Sequence, residues 1–437
     1  MSDTLEIFGL KYSNIDGIKV IDENGNELTY SRYPTPISGE ADPNPVKFYD
    51  YDGALLYSYS VADFLALDAL PANPTHTGLT SQGWNWSLAN AKSYVNAYGA
   101  LDVGQEYTES ALFISVCQGC ENLYLGLAVN GTISIDWGDG TSSTVTGTSY
   151  TTRKNTSHTY ATTGDYRIKI TVTSGGFTFY GGSNSSSPVI NGGGSSLAVN
   201  QPYSTMVNAV IIGRNCSSSI GAYGLCYCQN VRALILPRTV TSIGNQSFSY
   251  ATSATVLSLP EALTSVNSSS FSMLRRVKRV LLPPSLTYVY NSAFSTCNAE
   301  TLIIPYGVET ISDSSFSSWF NLRKVVLPSS VTSVAASAFR YCYACTEFEL
   351  SPSMTTVIST SMQGMPISRL DVPASITDLG LNSACDTLRE LVVRATVPPT
   401  VSGIPSGIRL IRVPAGSLTA YQNATNWSAH ASKMVEM

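Results

Sequence analysis

The stretch Val325–Phe339 reads "VVLPSSVTSVAASAF", the repeat before it "TLIIPYGVETISDSSF", and the one before that "VLLPPSLTYVYNSAF". Pro237, Pro260, Pro283, Pro305 and Pro328 are spaced by 23, 23, 22 and 23 residues. Eleven residues after each stands Phe248, Phe271, Phe294, Phe316 or Phe339. A period of roughly 20–30 residues predicts a solenoid. Each unit supplies a strand too short to bury anything alone, a proline, a loop, a position held by Ile243, Val266, Val289, Ile311 or Val334, and then the ring. Stacked neighbours must create the core between them, and proline ends each strand without removing an interior ladder bond. Within the quoted stretch, Val325 and Leu327 should pack inward, Val326 should face out, and Val334 and Phe339 should fill the far side of the core. An opening repeat places Ile220 and Leu225 in register with Ile243 and Phe248. Two closing repeats place Met362 and Ala384 near the aromatic column, and Pro352 and Pro373 near the proline column.

These residues closely resemble the BspA-like leucine-rich repeat of bacterial, protist and phage-encoded surface proteins over residues 205–412. The tail 413–437 also looks like that family's ending, in which a last strand, Leu410–Val413, is followed by a short helix from Ser417 that covers the open solenoid edge. The resemblance implies a protein that binds proteins or cell surfaces and is not an enzyme.

Upstream, the fold class is mainly β and multidomain. Residues 1–44 read as a short β-hairpin region, with Gly25 between Asn24 and Asn26 as the turn signal. Residues 45–106 give two strands around Asp52-Gly53, a helix-period segment "VADFLALDALP" ended by Pro71, extended chain, and a short helix stopped at Gly99. Pro71, Pro74, Gly78, Gly83 and Trp84 resemble the small β-grasp repeat of bacterial surface proteins (the Listeria–Bacteroides type). Residues 107–175 are all-β. Trp137, Gly138, Asp139, Gly140, His158, Thr159, Tyr160, Gly164 and Tyr166 fall on a pattern that resembles the PKD-type immunoglobulin-like β-sandwich domain. Here Tyr166, Ile168, Ile170 and Val172 should point inward, and His158 should be a packed, hydrogen-bonded structural residue. Residues 176–204 form a Gly/Ser-rich junction.

Composition narrows the function. Of 437 residues, 43% are hydrophobic and only 13% charged, with Ser, Thr, Asn, Gly and Tyr supplying most of the polar surface, a bias of extracellular and virion β-proteins. Net charge is −5 with no basic block, which argues against a nucleic-acid partner. No window approaches the ~18 apolar residues of a membrane span, so no membrane insertion is expected. The start "MSDTLEIFGLKYSN" lacks a signal-peptide apolar run. There is no G-x-S-x-G elbow, H-E-x-x-H or P-loop, and the three histidines are His76, His158 and His430. No catalytic residue, cofactor or metal is expected. Cys117-x-x-Cys120 and Cys342-x-x-Cys345 have a metal-knuckle spacing. However, Cys228, Cys297 and Cys342 each stand three residues after a repeat anchor, in a slot filled elsewhere by Leu274 and Trp319. A slot that accepts Cys, Leu and Trp is a core slot.

Function should therefore reside on the solenoid's strand face. The column two before each proline is Ile235, Ser258, Leu281, Ile303 and Val326, and the column four before it is Ala233, Val256, Arg279, Thr301 and Lys324. Ile235, Leu281, Ile303 and Val326, flanked by Arg279 and Lys324, form an apolar stripe that is either a docking surface or ordinary β-propensity filler covered by the chain itself. Surface modules without an export signal suit a phage virion protein (tail fibre, spike or decoration). Residues 1–44 would then attach to other virion proteins, and the solenoid would meet a bacterial cell-surface protein or glycan. The alternative is a secreted or surface adhesin. Either location, virion or extracellular, is compatible with a homo-oligomer.

Overall fold

The computed structural model describes residues 42–118, 122–181, 206–357, 359–381 and 386–437, together with short backbone strands elsewhere. Those in the first 41 residues are β1 (Leu5–Ile7), β2 (Leu10–Asn14), β3 (Val20–Ile21), β4 (Glu27–Leu28) and β5 (Thr35–Pro36). β3 and β4 pair antiparallel with Ile21 opposite Glu27, so the hairpin read around Gly25 has its two arms. Its turn residues, like Cys120, Cys385 and Ala384, lie outside the described residues.

Residues 46–107 form a four-stranded sheet: β6 (Val46–Tyr49), β7 (Leu55–Tyr59), β8 (Ser81–Trp84) and β9 (Leu101–Tyr107), in the order β7-β6-β9-β8. The two central strands, first and last in sequence, run parallel. Helix α1 spans only Val61–Ala66, because Leu67 adopts an extended conformation, and so it stops short of Pro71. Helix α2, Leu88–Tyr98, starts on the Ser87 hydroxyl, which accepts the Asn90 N–H, and ends at Gly99. At φ +74° Gly99 occupies the left-handed region that glycine enters at least cost.

A second sheet follows: β10 (Ser110–Val116), β11 (Asn122–Asp136), β12 (Ser142–Thr159), β13 (Gly164–Phe179), β14 (Ile190–Asn191) and β15 (Val207–Ile211), in the order β12-β11-β13-β10-β15 with β14 on β11. The ladder joins these strands into one sheet, whose long members carry bulges near Ala128 and Thr132. Ile168 and Ile170 are buried, and Tyr166 and Val172 pack against the core, matching the alternation in the sequence. Trp137 is fully buried. His158 stacks on it at 4.7 Å and donates from Nε2 to Asp139 at 2.7 Å, while the Tyr160 hydroxyl donates to the Trp137 carbonyl at 3.0 Å. His158 is thus a packed structural residue.

From residue 219 the chain winds into a solenoid of about nine turns with two rows of short parallel strands. One row runs from Ala233–Ile235 to Met434–Glu436, the other from Ser219–Ile220 to Thr400–Val401. Ile220 pairs in register with Ile243, as the opening repeat predicts. In the quoted stretch Val325, Leu327, Val334 and Phe339 are buried and Val326 is 47% exposed. The phenylalanines stack ring on ring at 5.3, 5.2, 5.7 and 5.3 Å.

The turns that carry these rings have a feature the sequence concealed. Non-glycine residues two before and two after each ring, such as Gln246 and Tyr250 or Ser292 and Thr296, have positive φ. Left-handed residues cost about 1 kcal/mol or more each. Their arrangement aims every second N–H at the next repeat, so that Ser292, Phe294 and Thr296 donate to the carbonyls of Asp313, Ser315 and Ser317. That second ladder offsets the strain. The slot three residues after the ring is a core slot whose polar members bond the preceding turn: Cys297 Sγ to Phe271 O, Trp319 Nε1 to Phe294 O, and Cys342 Sγ to Phe316 O. Burial pushes the Cys297 thiol up to about 12, which keeps it protonated.

The core of the second sheet continues without interruption from Leu112 into the solenoid and on to Met434. At the far end, helix Leu418–Asn423 presents Tyr421 and Trp427 follows it, both buried, donating to the Ala395 and Pro399 carbonyls at 2.7 and 2.9 Å. The chain then adds Met434–Glu436 as one further parallel strand on Leu410–Val413. The expected cap is present, and it ends in a strand that the sequence reading did not anticipate.

Candidate functional site

The strand face of the solenoid divides into a covered and an open half. Residues 45–107 sit on the first four rows. Ile235 and Leu281 are 7% and 6% exposed. Leu281 and Ile303 belong to one apolar cluster with Phe48, Phe64, Trp84, Trp86 and Tyr94, while Ile235 and Val256 pack with Tyr49. The stripe over these rows is therefore covered by the chain itself.

The polar complement of this interface is specific. Ser258, the one polar residue among Ile235, Ser258, Leu281, Ile303 and Val326, is fully buried. It accepts from Asn85 Nδ2 at 2.9 Å and donates to the Asp102 carbonyl at 2.8 Å. Asn85 also receives the Gly104 N–H on Oδ1 at 2.8 Å and donates to the Leu236 carbonyl at 3.0 Å. The Trp86 indole donates to Leu259 O and the Tyr94 hydroxyl to Leu282 O, both at 2.9 Å. Glu261 collects the Ser87 N–H and hydroxyl and the Asn90 amide at the start of α2. Arg279 forks onto the buried Asp102 and reaches the Pro45 carbonyl at 2.7 Å. Burial pushes the Asp102 carboxyl up, and the Arg279 guanidinium opposes that shift. Glu106, with no exposed side chain, is paired with Arg214 and Arg238. A buried carboxylate that lost its guanidinium would be left uncompensated, at a cost of about 3–5 kcal/mol, so these pairs fix the register of one body on the other.

From Lys324 onward the face is open. Lys324 bridges Glu349 and Glu347 at 2.5 and 3.2 Å across neighbouring strands. Arg394 makes a two-point pair with Asp371 at 2.8 and 2.7 Å. It holds that carboxyl below its ordinary value. Arg412 donates to Glu390 at 2.7 Å, and Arg369 lies between Asp371 and Glu390. Of the six stripe residues singled out from sequence, four (Ile235, Leu281, Ile303 and Arg279) are brought together under the N-terminal sheet, and two (Val326 and Lys324) lie on the open half. The charged ladder Glu347, Glu349, Arg369, Asp371, Glu390, Arg394 and Arg412 was missed. All but Arg394, which follows the end of its strand, continue the same two columns, and the signal was the charge at column positions beyond Pro328. Among the described residues no group of His, Cys, Asp or Glu could hold a metal ion, and no helix is long and apolar enough to cross a membrane.

Residues 203–322 and 276–389 match the BspA type leucine rich repeat region, in six copies. Among solved structures, the chain is similar to a leucine-rich repeat protein from Bacteroides ovatus (18% identity, TM-score 0.38, covering 47% of this chain and 60% of that one). It is similar also to the pneumococcal vaccine antigen PcpA (16% identity, TM-score 0.31, 46% and 61% covered). A third is a leucine rich cell surface protein from Faecalibacterium prausnitzii (19% identity, TM-score 0.27, 51% and 69% covered). The chain thus spans about 60% of the length of the first two. None of the curated proteins matches it. The period and the paired strand rows fall on the same residues, 203–389, that are similar to the BspA type leucine rich repeat region.

Proposed function

We propose that this chain is a non-enzymatic surface-recognition protein, carried on a phage particle as a tail fibre, spike or decoration, that meets a bacterial cell-surface protein or glycan through the open half of its strand face. The observation that supports this reading is the division of that face. Its first rows are sealed by Asn85, Trp86 and the Arg279–Asp102 pair, while the rows from Lys324 to Arg412 stay open and carry alternating charge, with Val326 exposed in the first of them. A pre-paired lattice of charges discriminates among partners more than it adds affinity, because each wrong juxtaposition costs desolvation and repulsion. In this reading residues 46–107, whose four strands are ordered β7-β6-β9-β8, are a β-grasp-like unit that braces the solenoid. Residues 1–44 would dock to other virion proteins.

The test pairs two measurements. Immuno-electron microscopy of purified particles with antibody against the solenoid should decorate them; absence from every particle refutes the virion assignment and leaves the secreted or surface adhesin. Binding of the full chain to host cells should fall at least ~10-fold in a Lys324→Glu, Val326→Asp variant, both sites being exposed. Unchanged binding by that variant removes the open strand face as the contact.

A further inference from the structure

A cleft lies where three bodies meet. The hairpin tip between β6 and β7, the sheet edge formed by β10 and β15, and the loops entering the first solenoid strands enclose a cleft of about 890 Å³. One wall is aromatic: Tyr51 and Phe113, both half-buried, stack at 5.0 Å with their planes 10° apart. Opposite stand Arg232 and Arg276, about two repeats apart with one turn between them and both exposed. Among the described residues neither guanidinium forms an ion pair with a carboxylate. The acid that shares the cleft, Asp52, is engaged with its own turn, accepting the Ala54 N–H at 2.9 Å. Asn208 and Thr255 complete the lining with an amide and a hydroxyl.

We propose that this cleft binds an acidic saccharide, with its sugar ring against the Tyr51–Phe113 wall and its carboxylate between Arg232 and Arg276. Three physical points favour this class of ligand. Two unpaired guanidiniums in a concave site present forked donors matched to a carboxylate. A stacked aromatic pair offers a rigid apolar surface to the C–H face of a ring. The amide and hydroxyl lining suits a ring of hydroxyls better than an apolar side chain. The site also exists only in the assembled chain, since Tyr51, Phe113 and Arg232 belong to three different bodies. It deepens the surface-recognition reading but does not need the open strand face.

The experiment is direct titration of the full purified chain with an oligosaccharide of hexuronic acid, its neutral hexose counterpart, a sulfated oligosaccharide, inorganic sulfate and a single-stranded oligonucleotide. The carboxylated saccharide should bind, and an Arg232→Gln, Arg276→Gln double variant should bind it ~10–100-fold more weakly, two charge-assisted contacts being lost. Lys154→Gln, on β12 away from the cleft, should leave binding unchanged. An unaltered melting temperature for the double variant shows that it remains folded. No binding of the carboxylated saccharide, equal binding of the neutral one, tighter binding of the sulfated oligosaccharide or the oligonucleotide, or full competition by inorganic sulfate at the same concentration each overturns the proposal. The Lys324→Glu, Val326→Asp variant should titrate like the parent, so loss of cell binding and loss of saccharide binding are separable.

Discussion

Gly104 faces Ile235 where the N-terminal sheet meets the solenoid, and it makes the docking testable. A Cβ built there would meet Ile235 Cγ2 at 2.2 Å and Cγ1 at 3.0 Å. Its backbone is in the ordinary region, so Gly104→Ala taken alone should stabilise an undocked strand by about 0.4–1 kcal/mol through the unfolded state. In the docked chain the methyl group overlaps the Ile235 side chain, and overpacking of this kind costs about 1–3 kcal/mol. Ile235→Ala alone should cost about 2 kcal/mol, near the lower end for a buried isoleucine. It also removes both close carbons, leaving only Ile235 Cβ at 3.1 Å. The double variant should therefore be more stable than the sum of the singles by about 1–3 kcal/mol. Because the chain is multidomain and a single unfolding free energy is poorly defined, the readout is amide hydrogen exchange in mild urea at residues 101–107 and 233–235. Gly104→Ala should accelerate exchange on both sides of the interface, and the double variant should recover part of the protection. Strict additivity, or a Gly104→Ala variant as protected as the parent, would refute the docking.

Further predictions follow from the packing and the charges. Phe294→Ala removes a ring held between Phe271 and Phe316. It should cost about 3–5 kcal/mol, read as a lower urea midpoint for solenoid unfolding. Arg279→Met leaves Asp102 buried without its cation and should cost about 3–5 kcal/mol, with much of the loss recovered by a second change, Asp102→Leu; thermal melts of the three proteins decide. Burial alone would raise the Asp139 carboxyl, but hydrogen bonds from Thr141 and His158 outweigh it and hold it at about 2, against an ordinary 3.8. The ionised form is favoured in the fold, so this contribution is complete above pH 3.8 and is lost as pH falls toward 2. The near-UV circular dichroism of Trp137 should change over that window, and Asp139→Asn should abolish the change.

The solenoid was legible because its constraint is local and repeated. Inward Val325 and Leu327, the proline stop and the ring at Phe339 recur with one period, and a period survives any ignorance of the rest of the fold. The Cys297 and Cys342 slots were readable for the same reason, since comparison across copies replaces comparison across relatives. The His158 environment followed from a short motif whose residues meet within one hairpin. The left-handed residues beside each ring were not legible, because Gln, Ser, Thr, Met and Tyr occupy them and no residue type announces positive φ. The early end of α1 at Ala66 was missed because apolar spacing continues past it through Leu67 and Leu70 while the backbone does not.

By itself the sequence determined that Ile235, Leu281, Ile303 and Val326 lie in one column on the outside of a strand row, because the side-chain period of a strand is a backbone property. Only the tertiary structure decided that the first three meet Tyr49, Phe48 and Trp84 while Val326 meets solvent. That outcome depends on contacts between residues more than 150 positions apart, such as Asn85 with Leu236. No periodicity carries information across that distance. Ser258 and Gly104 record the docking in single letters, one a hydroxyl buried to satisfy Asn85, the other an absent methyl group that lets Ile235 in.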